Sequence, residues 1–147
     1  MAFLSAMNIS ASALTAQRMR LDIAAENIAN VNTTRTESGE PYRRKMVVFE
    51  PIGQSNFQAV LNRTKRLRTT DQKGVRVTEI IEDTREFKMV YNPSHPDADE
   101  NGYVQMPNVD LLKETVDSME ATRAYDANVT AFNAIKNMAT KGLDVGK

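Results

Sequence analysis

The chain of 147 residues contains no cysteine, no tryptophan and a single histidine. Without cysteine there can be no disulfide, no thiol nucleophile and no thiolate-held zinc or iron–sulfur site. His95 alone cannot build a Ser/His/Asp set or a histidine-rich metal site, and between Pro93 and Pro96 it reads as a loop residue. Neither sign of charge dominates. Nineteen basic and nineteen acidic residues give a formal net charge of zero, so bulk charge points to neither nucleic acid nor a membrane surface. No apolar run approaches the ~18 residues of a membrane span. Met1 to Ile9 carry no basic n-region and no A-x-A site, so a cleaved signal peptide is not expected and export would need another route. The length suits one domain. With 41% hydrophobic residues and no tryptophan, the core is expected to be aliphatic and Met-rich.

Glycine and proline are scarce and confined. All five prolines and four of the six glycines lie between Gly39 and Pro107. The two ends are therefore free to form long helices. From about Phe3 to Val31, the residues Leu4, Met7, Ala11, Leu14, Arg18, Leu21, Ala25 and Ile28 recur at heptad spacing, interrupted only by Arg18. Off the stripe stand Ser10, Ser12, Ala13, Thr15, Ala16 and Gln17, small and uncharged rather than the Lys and Glu of a solvated face. Such a helix suits close neighbours on more than one side. Asn30, Asn32, Thr33 and Thr34 then compete for backbone hydrogen bonds and end it.

The C-terminal segment mirrors the first. Asn108 after Pro107 is the expected N-cap, with Asp110, Glu114 and Asp117 favouring the positive end of the dipole. Lys136 and Lys141 sit late, and Gly142 is the expected stop. Its stripe runs through Val109, Leu112, Val116 and Met119, then shifts phase to Ala121, Tyr125, Asn128, Phe132, Ile135 and Ala139.

Between the helices, strands are expected at Arg43–Phe49, Phe57–Leu61, Val75–Ile81 and Phe87–Tyr91, with Lys65–Gly74 as a hairpin loop and Asn92–Pro107 as an extended connection. The predicted fold is mainly α with a small β insert. Residues 1–32 form an N-terminal axial helix, 33–107 a linker and antiparallel β element with extended loops, and 108–147 a C-terminal axial helix that pairs with the first as a coiled coil. The expected assembly seam is Leu4, Met7, Leu14, Leu21 and Ile28 with Leu112, Val116, Met119, Tyr125, Phe132 and Ile135.

Other motifs carry less. Asp97-Ala98-Asp99-Glu100-Asn101-Gly102 matches the first half of a calcium loop. Asn108 stands where the bidentate Glu belongs, and Pro93 and Pro96 bar the preceding helix, so a solvated turn is the better reading. Arg35 to Arg68 holds eight basic and three acidic residues, whereas Asp97 to Glu120 holds seven acidic and one basic. The basic stretch lacks a reading helix and an aromatic platform for nucleic acid. Two solvated faces, or complementary surfaces on successive subunits, account for both runs. Four N-x-[ST] triplets, at Asn8, Asn32, Asn62 and Asn128, fit a glycosylation pattern and read as chance.

Four ordered motifs make the chain resemble the axial proteins of the bacterial flagellum, the rod, hook and hook-associated proteins. Leu21, Ala25, Asn27-Ile28-Ala29-Asn30 and Thr33 carry the N-terminal signature. Thr34 to Ser38 then intervene before Gly39-Glu40-Pro41-Tyr42-Arg43-Arg44-Lys45, a longer spacing than most rod and hook members show. Pro93 to Asp99 with Gly102-Tyr103-Val104 and Pro107 to Asp110 form the middle motif, and Arg123-Ala124-Tyr125 with Ala127-Asn128 the last. The resemblance implies a non-enzymatic structural subunit of the basal body, without cofactor or metal. Its implied partners are other rod proteins, copies of itself and the flagellar type III export apparatus, with no nucleic acid and no stable membrane insertion. It implies too that the terminal helices order on assembly, when their apolar stripes find partners. The competing reading is a soluble binding module whose helical hairpin is complete within one chain.

Overall fold

A computed structural model describes residues 2–52 and 74–144. Its elements, in order, are α1 (Ala2–Ala29), β1 (Lys45–Pro51), β2 (Val75–Glu82), β3 (Lys88–Tyr91), β4 (Tyr103–Met106) and α2 (Leu111–Asp144). The two long terminal helices pack against each other, and α1 also packs on β1 and β2. The expected mainly α fold with a small antiparallel insert is the one observed. The expected strand at Phe57–Leu61 and nearly all of the Lys65–Gly74 loop fall outside the described residues.

The insert is two separate two-stranded antiparallel sheets, β1–β2 and β3–β4. In the first, Lys45 pairs with Glu82 and Pro51 with Val75, and the register slips between Val48 and Phe49. Val48 faces Glu79 while Phe49 faces Val77, so Thr78 is the extra residue of a bulge. The slip explains the burial of β2. Val75 and Val77 point inward before the bulge and Ile81 after it, while Ile80 is left exposed.

A two-stranded ribbon is marginal alone, and here it leans on α1. Ser12 Oγ donates to the Ile9 carbonyl and accepts from the amide of Val75. Gly74, at φ +99°, lets the strand come this close, since a Cβ there would stand 2.1 Å from Ser12 Oγ.

Three boundaries differ from the sequence reading. β4 lies in the stretch expected to be an extended connection. Asp99 makes it possible: its Oδ1 accepts the amides of Asn101 and Tyr103, closing a turn with Gly102 at φ +80°. Asp110, not Asn108, caps α2, accepting the amides of Leu112 and Lys113. The helix also runs through Gly142 to Asp144, where Gly142 keeps a helical backbone rather than the left-handed one of a stop.

Candidate functional site

Among the described residues, buried side chains are few and many are polar. Ser10, Asn27, Arg44, Asp83, Asn108 and Glu114 are all buried, against Ala16, Ile23, Ala24, Tyr42, Val104, Val109 and Ala121 among the apolar ones. Most of the polar set converges at one place, where α1 ends, β1 begins and α2 starts.

Asn27 is the hub. Its Nδ2 donates to the Lys45 carbonyl and to Glu114 Oε2, each at 2.9 Å. Its Oδ1 accepts from the Tyr42 hydroxyl and the Lys45 amide, again at 2.9 Å. Two donors and two acceptors exhaust the capacity of a side-chain amide. At 1% exposure, Asn27 therefore stands in for a neighbouring strand at Lys45 while holding α2 through Glu114.

Charges close around the hub. Arg44 Nε donates to Glu114 Oε1 at 2.6 Å, and its other nitrogens lie 3.3 Å from Asp117 and 3.9 Å from Asp83. Asp117 is shared with Arg20 at 3.3 Å, and Asp83 with Arg85 at 2.6 Å. Three arginines thus meet three carboxylates, which is how charges this deep are tolerated. The backbone is tied in as well. Asn108 Oδ1 accepts the Arg44 amide, and Asn108 Nδ2 donates to the carbonyls of Asp83 and Arg85. Asn108 is thus a buried crosslink between the residue before β1 and the segment after β2 rather than a helix cap. Hydrogen bonds from Arg85 hold the Asp83 carboxyl below the usual range, against the opposing effect of burial. Burial first, then the charges of Glu26, Glu114 and Glu82, pushes the Tyr42 phenol well above the usual tyrosine range. The phenol therefore stays protonated and can donate to Asn27.

This clasp is no ligand site. The hollow beside it measures about 140 Å³, below the ~300–1,000 Å³ of ligand pockets. Among the described residues, no three histidine, aspartate or glutamate side chains converge as a metal site requires. The carboxylates of the half calcium loop are engaged elsewhere: Asp99 in its turn, and Asp97 with the Thr34 hydroxyl at 2.8 Å and Arg35 at 3.7 Å. Among the described residues no helix is long and apolar enough to cross a membrane.

The expected assembly-seam residues stand along both helices, outside the clasp. On α1, Met7, Leu14, Leu21 and Ile28 are half-buried and Leu4 is 53% exposed. On α2, Leu112 is 75% exposed, Met119 56% and Val116 48%, while Tyr125, Phe132 and Ile135 are half-buried. The helices do pair, with Asn27 meeting Glu114 and Arg20 meeting Asp117 and Glu120 across them. The buried Ala16 lies beside Val75 and Val77 of β2, and Ile23 beside Met46 and Val47 of β1. Asn27 and Glu114 are turned inward, where they satisfy each other.

Of the motif residues, Asn27 enters the clasp, and Asn30 and Thr33 bond to each other at the exit of α1. Ile28 is half-buried and Ala29 exposed. Arg123 is exposed, Ala124 and Tyr125 are half-buried, and Asn128 bonds back to the Ala124 carbonyl. Arg18, the charge inside the stripe, is also exposed. Sequence reasoning missed Tyr42, Arg44, Asp83, Asn108 and Glu114 as one group. A usable signal existed in Glu114, Asp117 and Ala121, which share a helix face at i, i+3 and i+7 and mix acid with a small residue.

Comparison with known proteins follows the same geometry. A family model described as flagella basal body rod protein matches residues 7–35, covering α1 and its exit. A second, described as the C-terminal part of the flagellar basal body rod FlgEFG proteins, matches residues 100–145, covering β4 and α2. A Bacillus subtilis flagellar basal-body rod protein FlgC is 51% identical over 145 residues, 96% of each chain. Relatives of that name from Salmonella typhimurium, 42% identical over the full length of both, and Borreliella burgdorferi, 40% identical over 99% of this chain and 98% of its own, agree.

Proposed function

The chain belongs to the FlgC family of flagellar basal-body rod proteins, and on that premise we propose that it polymerises through its two terminal helices with copies of itself and with other rod proteins. It is a structural subunit of the basal-body rod and not an enzyme. The observation that carries the polymerisation reading is the outward apolar row on α2. Leu112, Val116 and Met119 share one face of the helix and are each 48% exposed or more. Soluble monomers rarely leave so much contiguous apolar surface uncovered on one element. Burying a side chain of this size is worth roughly 1.5–3 kcal/mol, so partners gain most from this row. The clasp supports the same reading, because it makes the helix pair and the β insert one unit with a fixed outer surface.

Two finer statements belong to the proposal. The subunit stands in the proximal part of the rod, where the rotating axle begins. It reaches that place through the flagellar type III export apparatus without cleavage of a signal peptide. A deletion strain tests the reading. It should be non-motile and lack rods in isolated basal bodies, and the plasmid-borne chain should restore both. A strain that swims normally without the gene refutes it. Leu21→Asp and Phe132→Asp, placed on the expected seam, should fail to restore swimming while the protein is still secreted.

A further inference from the structure

The two terminal helices run antiparallel, since Asn27 meets Glu114 while the earlier Arg20 meets the later Asp117 and Glu120. Leu4 lies 23 residues from Asn27, and Met138 lies 24 residues from Glu114. At about 1.5 Å per residue, both stand roughly 35 Å from that contact and mark one tip of the helix pair. The tip differs in charge from the clasp end. Residues 2–21 and 127–143 hold no acidic side chain, and their basic ones are Arg18, Arg20, Lys136 and Lys141. By contrast, Asp110 to Asp126 at the start of α2 holds five carboxylates against Lys113 and Arg123. Both ends are apolar on the outside. Leu4 is 53% exposed, Met138 64% and Leu143 77% at the tip, and Leu112, Val116 and Met119 are exposed at the other end. The first turn of α1 also carries no acid, so nothing in that turn answers the positive pole of its dipole.

We propose that this tip is a docking surface whose occupant is the acidic, apolar start of the C-terminal helix of a neighbouring rod subunit. The proposal rests on the polymerisation reading above. Charge complementarity selects the occupant. An acid-free surface with lysines beside exposed apolar side chains gains most from a partner whose apolar row is edged by carboxylates. This chain presents that chemistry at its own opposite end, where Asp110 and Glu120 accompany Leu112, Val116 and Met119 on the exposed surface. The family model matching residues 100–145 covers the same helix, so other members of that family carry a counterpart. The contact joins unlike surfaces. A heterologous contact of this kind can propagate along an axis, whereas a two-fold contact closes as a dimer. Two tips set together would instead bring like charges face to face, which is unfavourable. Lysines alone are a weak hold on an anionic bilayer, worth about 1 kcal/mol each near the surface.

The test uses the full chain in its assembled state. A photo-reactive p-benzoylphenylalanine replaces the exposed Met138 in a deletion strain, basal bodies are isolated and irradiated, and the adduct is sequenced by mass spectrometry. The crosslink should fall within the acidic start of the C-terminal helix of a rod subunit, whether a second copy or a related protein. A crosslink to lipid or to any other segment, or none at all, overturns the proposal. Charge is tested in the same background. Lys136→Glu/Lys141→Glu should lower the crosslink yield per assembled chain at least about fivefold, and Lys136→Arg/Lys141→Arg should hold it within about twofold. An unchanged yield after reversal overturns the proposal. Should the reversed chain be secreted without assembling, Lys136→Gln/Lys141→Gln decides. There the yield must fall at least about twofold, and an unchanged yield overturns the proposal. Absence of the native chain from basal bodies refutes the rod reading, whereas its presence there with the crosslink elsewhere refutes the tip contact alone.

Discussion

Asn27 shows how much one side chain can carry. It satisfies four partners on two other segments, and no other residue type offers two donors and two acceptors at that reach except glutamine, which is one methylene longer. Asn27→Ala would orphan the Lys45 amide and carbonyl, the Tyr42 hydroxyl and one oxygen of Glu114. Orphaned buried groups cost about 1–3 kcal/mol each, with relaxation and water entry offsetting part. The expected loss is about 2–4 kcal/mol, read as a lower urea midpoint with unchanged slope. Two titrations follow from the same cluster. Asp83 ionises more readily folded than unfolded. As pH falls, the unfolded state therefore takes up the proton first, and stability is lost below about pH 4, the unfolded value. Asp83→Asn should flatten that acid limb in stability-versus-pH curves. Tyr42 has the opposite sign. Its folded phenol holds its proton to higher pH, so stability is present below about pH 10 and declines above it as unfolded tyrosine ionises. Tyr42→Phe should remove that alkaline decline, and an unaltered decline would exclude Tyr42 as its source.

At the scale of elements, the β insert depends on docking rather than on strand propensity. β1–β2 has one partner strand each and a bulge at Thr78. Its attachment to α1 runs through Ser12 and Asn27. Gly74→Ala forces a Cβ into Ser12 at a positive φ. It should cost more than about 1 kcal/mol, and amide exchange should quicken in β2 before it does in α2. Equal acceleration in both elements would mean that the ribbon and the helix pair open together. The second ribbon is held differently. Tyr91 and Tyr103 meet edge to face with centroids 5.3 Å apart, and Lys88 Nζ donates to the Val109 carbonyl just before α2. Strand β3 was legible from its alternation. β4 was not, because its partner is chosen by the Asp99–Gly102 turn, and a Pro- and acid-rich run hides four residues of pairing.

For the whole molecule, the apolar row of α2 separates stability from assembly. Leu112 is 75% exposed in the single chain. Leu112→Asp should change monomer stability by no more than about 0.5 kcal/mol, yet block incorporation into rods and abolish swimming. Complementation of a deletion strain beside urea unfolding of the purified chain checks both halves. A swimming strain would take Leu112 out of the subunit contacts. Ala121, at 0% exposure, should behave in the reverse order. Ala121→Leu overpacks the helix pair and should lower monomer stability by about 1–3 kcal/mol.

The sequence by itself determined the plan of the molecule. Confinement of proline and glycine to the middle leaves both ends helical, and heptad spacing, strand alternation and the Asn27–Thr33 signature are local properties that need no partner to be read. The tertiary structure alone decided which face of each helix turns inward. Periodicity marks an apolar stripe, but a stripe can be met by one's own chain or by a neighbour's. Here Asn27, Arg44 and Glu114, separated by up to 87 positions, satisfy one another only when the end of α1, the start of β1 and the start of α2 meet. Local pattern cannot reveal it, because the cost of an unpaired buried charge depends on residues that meet only after the chain has folded.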